Sequence, residues 1–276
     1  MIEILKKHRY LLARRATQIL LLFLYFGANT YGWHILEGTF GSSKLFGFIP
    51  LADPYMFLQI LASGFLVGLD VIVGVVIISL FYAIVGGRAF CSWVCPINLV
   101  TDFANWLRRV LKLDKDEVNY RFLKRSARYW ILVLGLIVSA IVGIAAFEAV
   151  SPITIMQRGI IFGFGAGVSI VIAIFLFDLF GVKNGWCGHL CPLGATYSII
   201  GKKSLIRVSH NHENCTNCMK CKIVCPENQV LHMINKESIM VTDGECTNCG
   251  RCIEVCGDDA LEFSFKKISN KGENNG

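Results

Sequence analysis

The chain has 276 residues, of which 54% are hydrophobic and 17% charged, and its mean hydropathy is +0.54. That balance excludes an ordinary soluble domain and a disordered chain and points to a membrane protein. The formal charge of +7 is unevenly spread: residues 1–202 hold 18 Lys and Arg against 10 Asp and Glu, whereas residues 203–276 hold 9 against 10. The basic excess belongs to the apolar part, as membrane flanks require, so no nucleic-acid groove is expected. Twelve cysteines in a chain this long and apolar do not make a small secreted disulfide scaffold, and they need another explanation.

In chain order, four apolar stretches are long enough to cross a hydrocarbon core ~30 Å thick at about 1.5 Å per helical residue. The first, 16–36, is free of charge and follows Arg14 and Arg15. Such a pair opens some export signals, but the run is long for a signal sequence and no A-x-A-like site follows, so an uncleaved anchor is expected. The second stretch begins after Pro54 and reaches Gly87, interrupted by Asp70. Being too long for one crossing, it is expected to divide into an interfacial or re-entrant piece, 55–63, and a span, 64–87, with Gly64 and Gly68 allowing the break. The third and fourth stretches are 129–147 and 159–177. Gly135, Ser139 and Gly143 in the one, and Gly159, Gly163 and Gly167 in the other, recur at i, i+4. They are expected to bring helix backbones together, with no ligand role.

Lys and Arg are retained on the cytoplasmic side of such spans. Five (Lys6, Lys7, Arg9, Arg14, Arg15) precede the first span, and nine lie between the second and third, among them Arg88, Arg108, Arg109, Lys112, Arg121, Lys124, Arg125 and Arg128. Only Lys44 follows the first span and only Arg158 the third. Both termini, and every cysteine, are therefore expected in the cytoplasm.

Beyond the last span stand Cys215, Cys218, Cys221 and Cys225-Pro226, then Cys246, Cys249, Cys252 and Cys256, both runs spaced x2, x2, x3 and displaced by 31 residues. This is the two-cluster bacterial ferredoxin pattern, in which a short loop wraps three corners of a [4Fe–4S] cubane and the fourth cysteine reaches the neighbouring cluster. By that crossed rule Cys215, Cys218, Cys221 and Cys256 hold one cluster, and Cys246, Cys249, Cys252 and Cys225 the other. Two zinc sites would want paired C-x2-C knuckles and fit the repeated third and fourth members less well. Gly257 departs from the pattern, standing where the first run has Pro226.

A second pair of motifs, Cys91-Ser-Trp-Val-Cys95-Pro96 and Cys187-Gly-His-Leu-Cys191-Pro192, lies within the apolar part, 96 residues apart, each preceded by an aromatic, Phe90 or Trp186. On a helix, i and i+4 place both thiols on one face, although the following proline disfavours helical geometry at Cys95 and Cys191. The four thiols could form a third metal or redox centre, work as dithiols beside a quinone, or be buried and inert. His189 could be a ligand, a proton carrier or merely a solvated loop residue. The expected fold is an integral membrane α-helical domain, 1–202, with four transmembrane helices and two C-x3-C-P motifs. A small α+β two-cluster ferredoxin-like domain, 203–276, follows.

With these motifs the chain resembles the NapH family, the membrane-bound ferredoxin-type quinol dehydrogenase component of periplasmic nitrate reductase systems. Four spans, the Cys91/Cys95 and Cys187/Cys191 motifs and the paired four-cysteine runs all match, over nearly the whole chain. The resemblance implies an electron carrier of the bacterial inner membrane that takes electrons from quinol. It implies a periplasmic ferredoxin-type NapG as immediate partner, a NapC-type cytochrome in some systems, and the periplasmic nitrate reductase complex as destination. NosR-like proteins share the motifs but carry a large extracytoplasmic flavin-binding domain, and CcoG-like ones add a C-terminal domain. A MauN-like protein has the same ligands and topology, so the alternative function is an iron–sulfur assembly or maturation factor reducing a partner's cofactor or thiol. Quinol oxidation releases protons, and its site should be an apolar slot with ionisable groups at its mouth. Asp70 is the first candidate, with His34, Glu37, Asp53 and Glu148 toward the outer side and Asp178 toward the inner.

Overall fold

A computed structural model describes residues 8–113, 124–163 and 165–265. Lys6, Lys7, Arg121 and position 164 of the fourth apolar stretch lie outside the described residues. Helix α1 (Arg9–Tyr31) runs for 23 residues and stops at Gly32, whose φ of 70° caps it in the left-handed region. Among the described residues it is the one helix both long and apolar enough to cross a membrane by itself. A three-stranded antiparallel sheet follows, β1 (Leu36–Gly38), β2 (Ser42–Leu45) and β3 (Ile49–Ala52), with Leu36 opposite Leu45 and Ser42 opposite Ala52.

The second apolar stretch divides as its length requires. Asp53 caps α2 (Pro54–Ala62) by accepting from the Met56 amide at 2.8 Å. The chain then breaks around Gly64, φ +85°, and resumes as α3 (Leu69–Val85), 17 residues. Short helix α4 (Ala89–Trp93) carries Cys91, and Cys95-Pro96 follow it at the entry to α5 (Ile97–Val110).

The third and fourth stretches are not the single helices expected. Helix α6 (Ala127–Val142), 16 residues, ends at Gly143 with φ 72°, and α7 (Ala146–Val150) follows. Helix α8 (Pro152–Phe162) ends at Gly163, φ 94°, inside the predicted fourth span. The chain restarts as α9 (Val168–Leu176), which a five-residue π turn extends to Gly181. The reason is local: Gly143 takes the left-handed conformation that ends helices, Gly163 a positive φ with extended ψ that leaves the helix, and a Cβ at either would meet nothing within 4 Å. Gly135 and Ser139 do serve close packing, because a side chain at 135 would run into the Tyr55 hydroxyl and the buried Ser139 faces Gln59.

Outward, α1, α3 and α6 present large apolar side chains, among them Ile19, Phe23, Leu80, Phe81, Trp130 and Ile141, each more than half exposed. A water-soluble monomer rarely shows such continuous apolar faces. Inward, the sheet lies against the middle of α3, where Gly74 sits so close to the backbone of residues 50–52 that a Cβ would stand 3.0–3.2 Å from it. Three fully buried glutamines satisfy backbone in this apolar setting. Gln18 donates to the Ser92 and Cys95 carbonyls at 3.1 and 3.2 Å, Gln59 accepts from the Phe147 amide at 2.8 Å, and Gln157 accepts from the Phe40 amide at 3.0 Å.

A second π turn (Trp186–Leu190) carries Cys187, and α10 (Pro192–Ile200) returns into the apolar core. From Ile206 onward the chain forms a separate core. Strand β4 (Ile206–His210) pairs antiparallel with β5 (Leu261–Phe265), and α11 (Lys220–Val224) and α12 (Arg251–Val255) pack together across Val208, Val230, Leu231, Met233 and Val241.

Candidate functional site

The two four-cysteine runs fold alike. Asn217 and Met219 in the first, and Asn248 and Gly250 in the second, all have positive φ, between 46° and 74°, so each loop curls inward at the same two places between its first three cysteines. Each loop then enters a short helix bearing Cys221 or Cys252, and leaves it extended at Cys225 (φ −71°) or Cys256 (φ −77°). Gly257 therefore changes nothing in the course of the backbone that Pro226 follows. Cys215, Cys218, Cys221 and Cys256 line one cavity, and Cys225, Cys246, Cys249 and Cys252 line the other. We refer to the second, which faces the apolar part, as the inner cavity.

These surroundings fit iron–sulfur clusters. Burial, and then the neighbouring thiols, push Cys225 and Cys252 well up, and burial pushes Cys246 to about 11. Four thiolates, two of them buried and two half-buried, would not persist so close together without a cationic centre between them. Beside the inner cavity the Arg14 guanidinium is fully buried with no hydrogen-bond partner on any of its three nitrogens, and its electrostatic neighbours include Cys249. Its counter-charge, Asp102 at 3.6 Å, is shared with Arg15 and Arg251, and an anionic thiolate cluster would add a second. Among the described residues no group of three or more His, Cys, Asp and Glu is arranged to hold a single ion.

The apolar part grips the inner cavity from two sides. Ser92 Oγ donates to the Thr247 carbonyl at 2.7 Å, and Trp93 Nε1 to the Asn248 carbonyl at 3.0 Å. The residues between Cys91 and Cys95 thus bind the loop between Cys246 and Cys249. From the second motif's side, Asn184 Nδ2 donates to the Pro226 carbonyl at 3.3 Å and Lys183 Nζ to the Ile223 carbonyl at 2.7 Å. Arg88 joins all three elements: Nη1 donates to Glu227 at 2.6 Å and to the Glu245 carbonyl at 3.0 Å, and Nη2 to the Cys187 carbonyl at 2.9 Å. Arg125 and Arg128 also pair with Glu227, and Arg128 with Glu245. Around Asp102 a second group gathers Arg14, Arg15 and Arg251. Tyr10 wedges between Gly250, where any Cβ would strike its ring, and Phe263, at 5.4 Å between centroids.

The four remaining thiols meet beneath this joint. Cys95 and Cys191 are buried, Cys91 and Cys187 half-buried, and all four are free. Burial first, and each other's charge next, hold Cys95 and Cys187 well up and Cys191 at about 11. Cys191 is extended (φ −69°, ψ 113°), as the following proline requires. A small cavity lined by Arg88, Cys91, Cys187, Glu227 and Cys249 bridges this quartet and the inner cavity.

Comparison with known proteins agrees with this layout. A family model described as a 4Fe-4S binding domain matches residues 67–114 and 164–209, each containing one C-x3-C-P motif, and one described as a 4Fe-4S dicluster domain matches 207–257. The "Ferredoxin-type protein NapH" of Escherichia coli is 43% identical over 93% of this chain and 89% of its own length. That of Haemophilus influenzae is 42% identical over 93% and 90%. The chain belongs to the NapH/MauN family of ferredoxin-type proteins. The "Methylamine utilization ferredoxin-type protein MauN" of Paracoccus denitrificans is 45% identical over 82% of the chain and 79% of its own length. No solved structure matches. As a member of this family the protein is a ferredoxin-type electron-transfer protein with two [4Fe–4S] clusters.

This NapH/MauN chain distributes its other candidate residues unequally. Asp70 is exposed in the first turn of α3, and His34 pairs with Glu37 at the surface. Glu148 accepts from Thr154 Oγ1 at 2.9 Å. Asp178 is buried and accepts the Trp186 amide at 3.0 Å, beneath the second motif. His189 is buried, not solvated, and its Nδ1 has no partner. Asp53 alone of these carboxylates lines a cavity in the apolar core, together with Tyr25, Tyr82 and Tyr197. Those tyrosines, and the role of Arg14, were not foreseen. Their signal in the sequence is faint: a polar group recurring inside or beside an otherwise apolar helix.

Proposed function

We propose that this protein takes electrons from the membrane quinol pool and passes them toward a periplasmic nitrate reductase. The chain would cross the membrane four times with both termini in the cytoplasm, as 1–202 followed by the ferredoxin-type part, 203–276. Cys215, Cys218, Cys221 and Cys256 hold one cluster, and Cys225, Cys246, Cys249 and Cys252 the other. When bound, the clusters supply one-electron redox chemistry. Cys91, Cys95, Cys187 and Cys191 act as a third redox or metal centre. A NapG-type ferredoxin, with a NapC-type cytochrome in some systems, completes the route.

The observation that carries this reading is the seating of the inner cavity directly on both C-x3-C-P motifs, through Ser92, Trp93, Asn184 and Arg88. An electron route needs its redox groups close and rigidly held, and this joint is built of buried and partly buried hydrogen bonds. The exposed apolar faces of α1, α3 and α6 support the membrane setting. The test is a quinol-linked redox titration of the anaerobically purified protein, followed by electron paramagnetic resonance. Ubiquinol or menaquinol should produce the reduced-cluster signals. Silence with both quinols favours the second reading, a maturation factor, which the 45% identity to a MauN protein supports. Iron and sulfide analysis of a variant with serine at 91, 95, 187 and 191 tests the third centre. Unchanged counts together with unchanged quinol oxidation would sink it.

A further inference from the structure

We propose that the cavity enclosed by α1, the β1–β3 sheet, α3 and α10 receives the aromatic head of the quinol, and that Tyr197 and Asp53 take its protons. This rests on the quinol reading above and assigns that reading a place and residues.

The cavity measures about 160 Å³. An apolar cavity of ~150 Å³ is known to admit benzene, so there is room for one six-membered ring. Its walls are mostly apolar, with Leu36, Ile78 and Phe90 among them, and of its polar groups, Ser43, Tyr25, Tyr82, Asp53 and Tyr197, the last two form a hydrogen-bonded polar end. That division is what a lipid-borne dihydroxy ring requires: an apolar slot for the ring and a few fixed polar groups for its hydroxyls.

The polar end is arranged to accept a proton. Tyr197 Oη donates to Asp53 Oδ1 at 3.2 Å, which leaves the oxygen of Tyr197 free to accept from a ligand hydroxyl. Asp53 Oδ2 is held by the Met56 amide at the start of α2, so the carboxyl cannot swing away. Its side chain is buried, and that burial, opposed by these hydrogen bonds and helped by the charge of Glu148, pushes its carboxyl up to about 7. A carboxyl in that range both takes and releases protons near neutrality.

Access and exit are also built. Leu21 and Ile78 at the margin are half-buried, and Leu20 and Phe81 beyond them are exposed, so the slot opens between α1 and α3 toward their apolar outer faces. On the opposite side Phe90 stacks on Tyr197 with 4.6 Å between centroids. The next residue is Cys91, and Val94 in the wall precedes Cys95. A ring in the slot is thus one layer of side chain from the thiol quartet.

Oxidation there breaks both O–H bonds of the hydroquinone and converts both C–O bonds to carbonyls, releasing two electrons and two protons. The two clusters are the oxidant, one electron to each. The first proton enters the Tyr197 hydroxyl as Tyr197 gives its own to Asp53. The second hydroxyl lies para to the first, at the far end of the ring, so its proton reaches Tyr197 only after Asp53 has released the first to water and the ring has turned end over end in the slot.

The test uses the purified full-length protein with its clusters, short-tailed ubiquinol and menaquinol as reductants, and 2-heptyl-4-hydroxyquinoline N-oxide as a binding probe read by quenching of its fluorescence. Tyr197→Phe removes the accepting oxygen and keeps the stack, and Ile78→Trp fills the slot without touching a titratable group. Each should slow quinol-driven cluster reduction, and Ile78→Trp should weaken probe binding, by about tenfold or more, while dithionite still reduces both clusters to the wild-type extent. Wild-type behaviour of both variants with quinol and probe would overturn the pocket and leave the quinol reading standing. A wild-type protein that neither reacts with quinol nor binds the probe would overturn the quinol reading itself. If Ile78→Trp loses its dithionite-reducible signals it has misfolded, and Tyr197→Phe decides.

Discussion

The two cysteine cavities have the same ligands at the same spacing but opposite surroundings. Both are lined by the ferredoxin-type part itself, but the inner one is also backed by the rest of the protein: Arg14 and Arg88 stand beside it, and Ser92 and Trp93 bind its loop. The outer one is walled by its own module, with Met219, Ile234 and Val255 around it, Cys218 exposed, and a surface hydrogen bond from Thr216 to Asp258 at 2.5 Å. Ligands alone do not set a cluster's properties, since hydrogen bonds, charge and solvent around the sulfurs do as much. Duplicated motifs in one chain can therefore do different work, the inner site being tuned by the apolar part and the outer one left nearer the surface.

Four experiments would break or sharpen that contrast. Glu227→Ala should have the largest effect, because it leaves Arg88 and Arg128 buried with a partner missing. Removing one member of such a group costs about 3–5 kcal/mol, and the inner cluster's resonance signal should disappear before the outer one's on mild denaturation. Loss of both together would mean that the two sites stand or fall as one. Arg14→Leu removes a buried cation beside Cys249, which should lower the inner potential by about 1–2 kcal/mol, on the order of 50 mV for one electron, with the outer potential unmoved. Exposure to a chelator under mild oxidation should strip iron from the outer site roughly tenfold faster, a difference of about 1.4 kcal/mol in barrier; equal rates would show that the walls around the inner site give no protection. Asp258→Ala should be the mildest, costing ~0.5–1 kcal/mol and detectable only as a small loss of melting temperature.

What could be read from residue order alone follows the range of the interactions. The first three cysteines of each run span only seven residues, so that loop's geometry is local and legible in the spacing, and the two crossed sets expected of the eight cysteines line two separate cavities. The break at Gly64 was legible too, since a helix from 55 to 87 overruns any bilayer. Gly143 and Gly163 stand at packing spacing yet end helices, because i, i+4 spacing cannot tell a glycine with a neighbour from one with none. Arg14, Arg15, Arg88, Arg125 and Arg128 were counted only as cytoplasmic flanks. Their pairing with Asp102, Glu227 and Glu245, up to 157 residues away for Arg88 and Glu245, depends on a tertiary fold that charge counting does not see. Asp70 stands out in the sequence as a quinol-site candidate because it interrupts an apolar run, whereas the sheet that carries Asp53 inward is made of short, mixed strands.

Gly250 shows what docking does to one half of a duplication. At position 219 the same left-handed backbone carries a methionine, while at 250 the space belongs to Tyr10. The missing β-carbon works as a keyhole through which the first helix locks onto the second loop. A single methyl group there would leave each half folded but hold the joint ajar, and water would enter between the inner cavity and the four thiols beneath it.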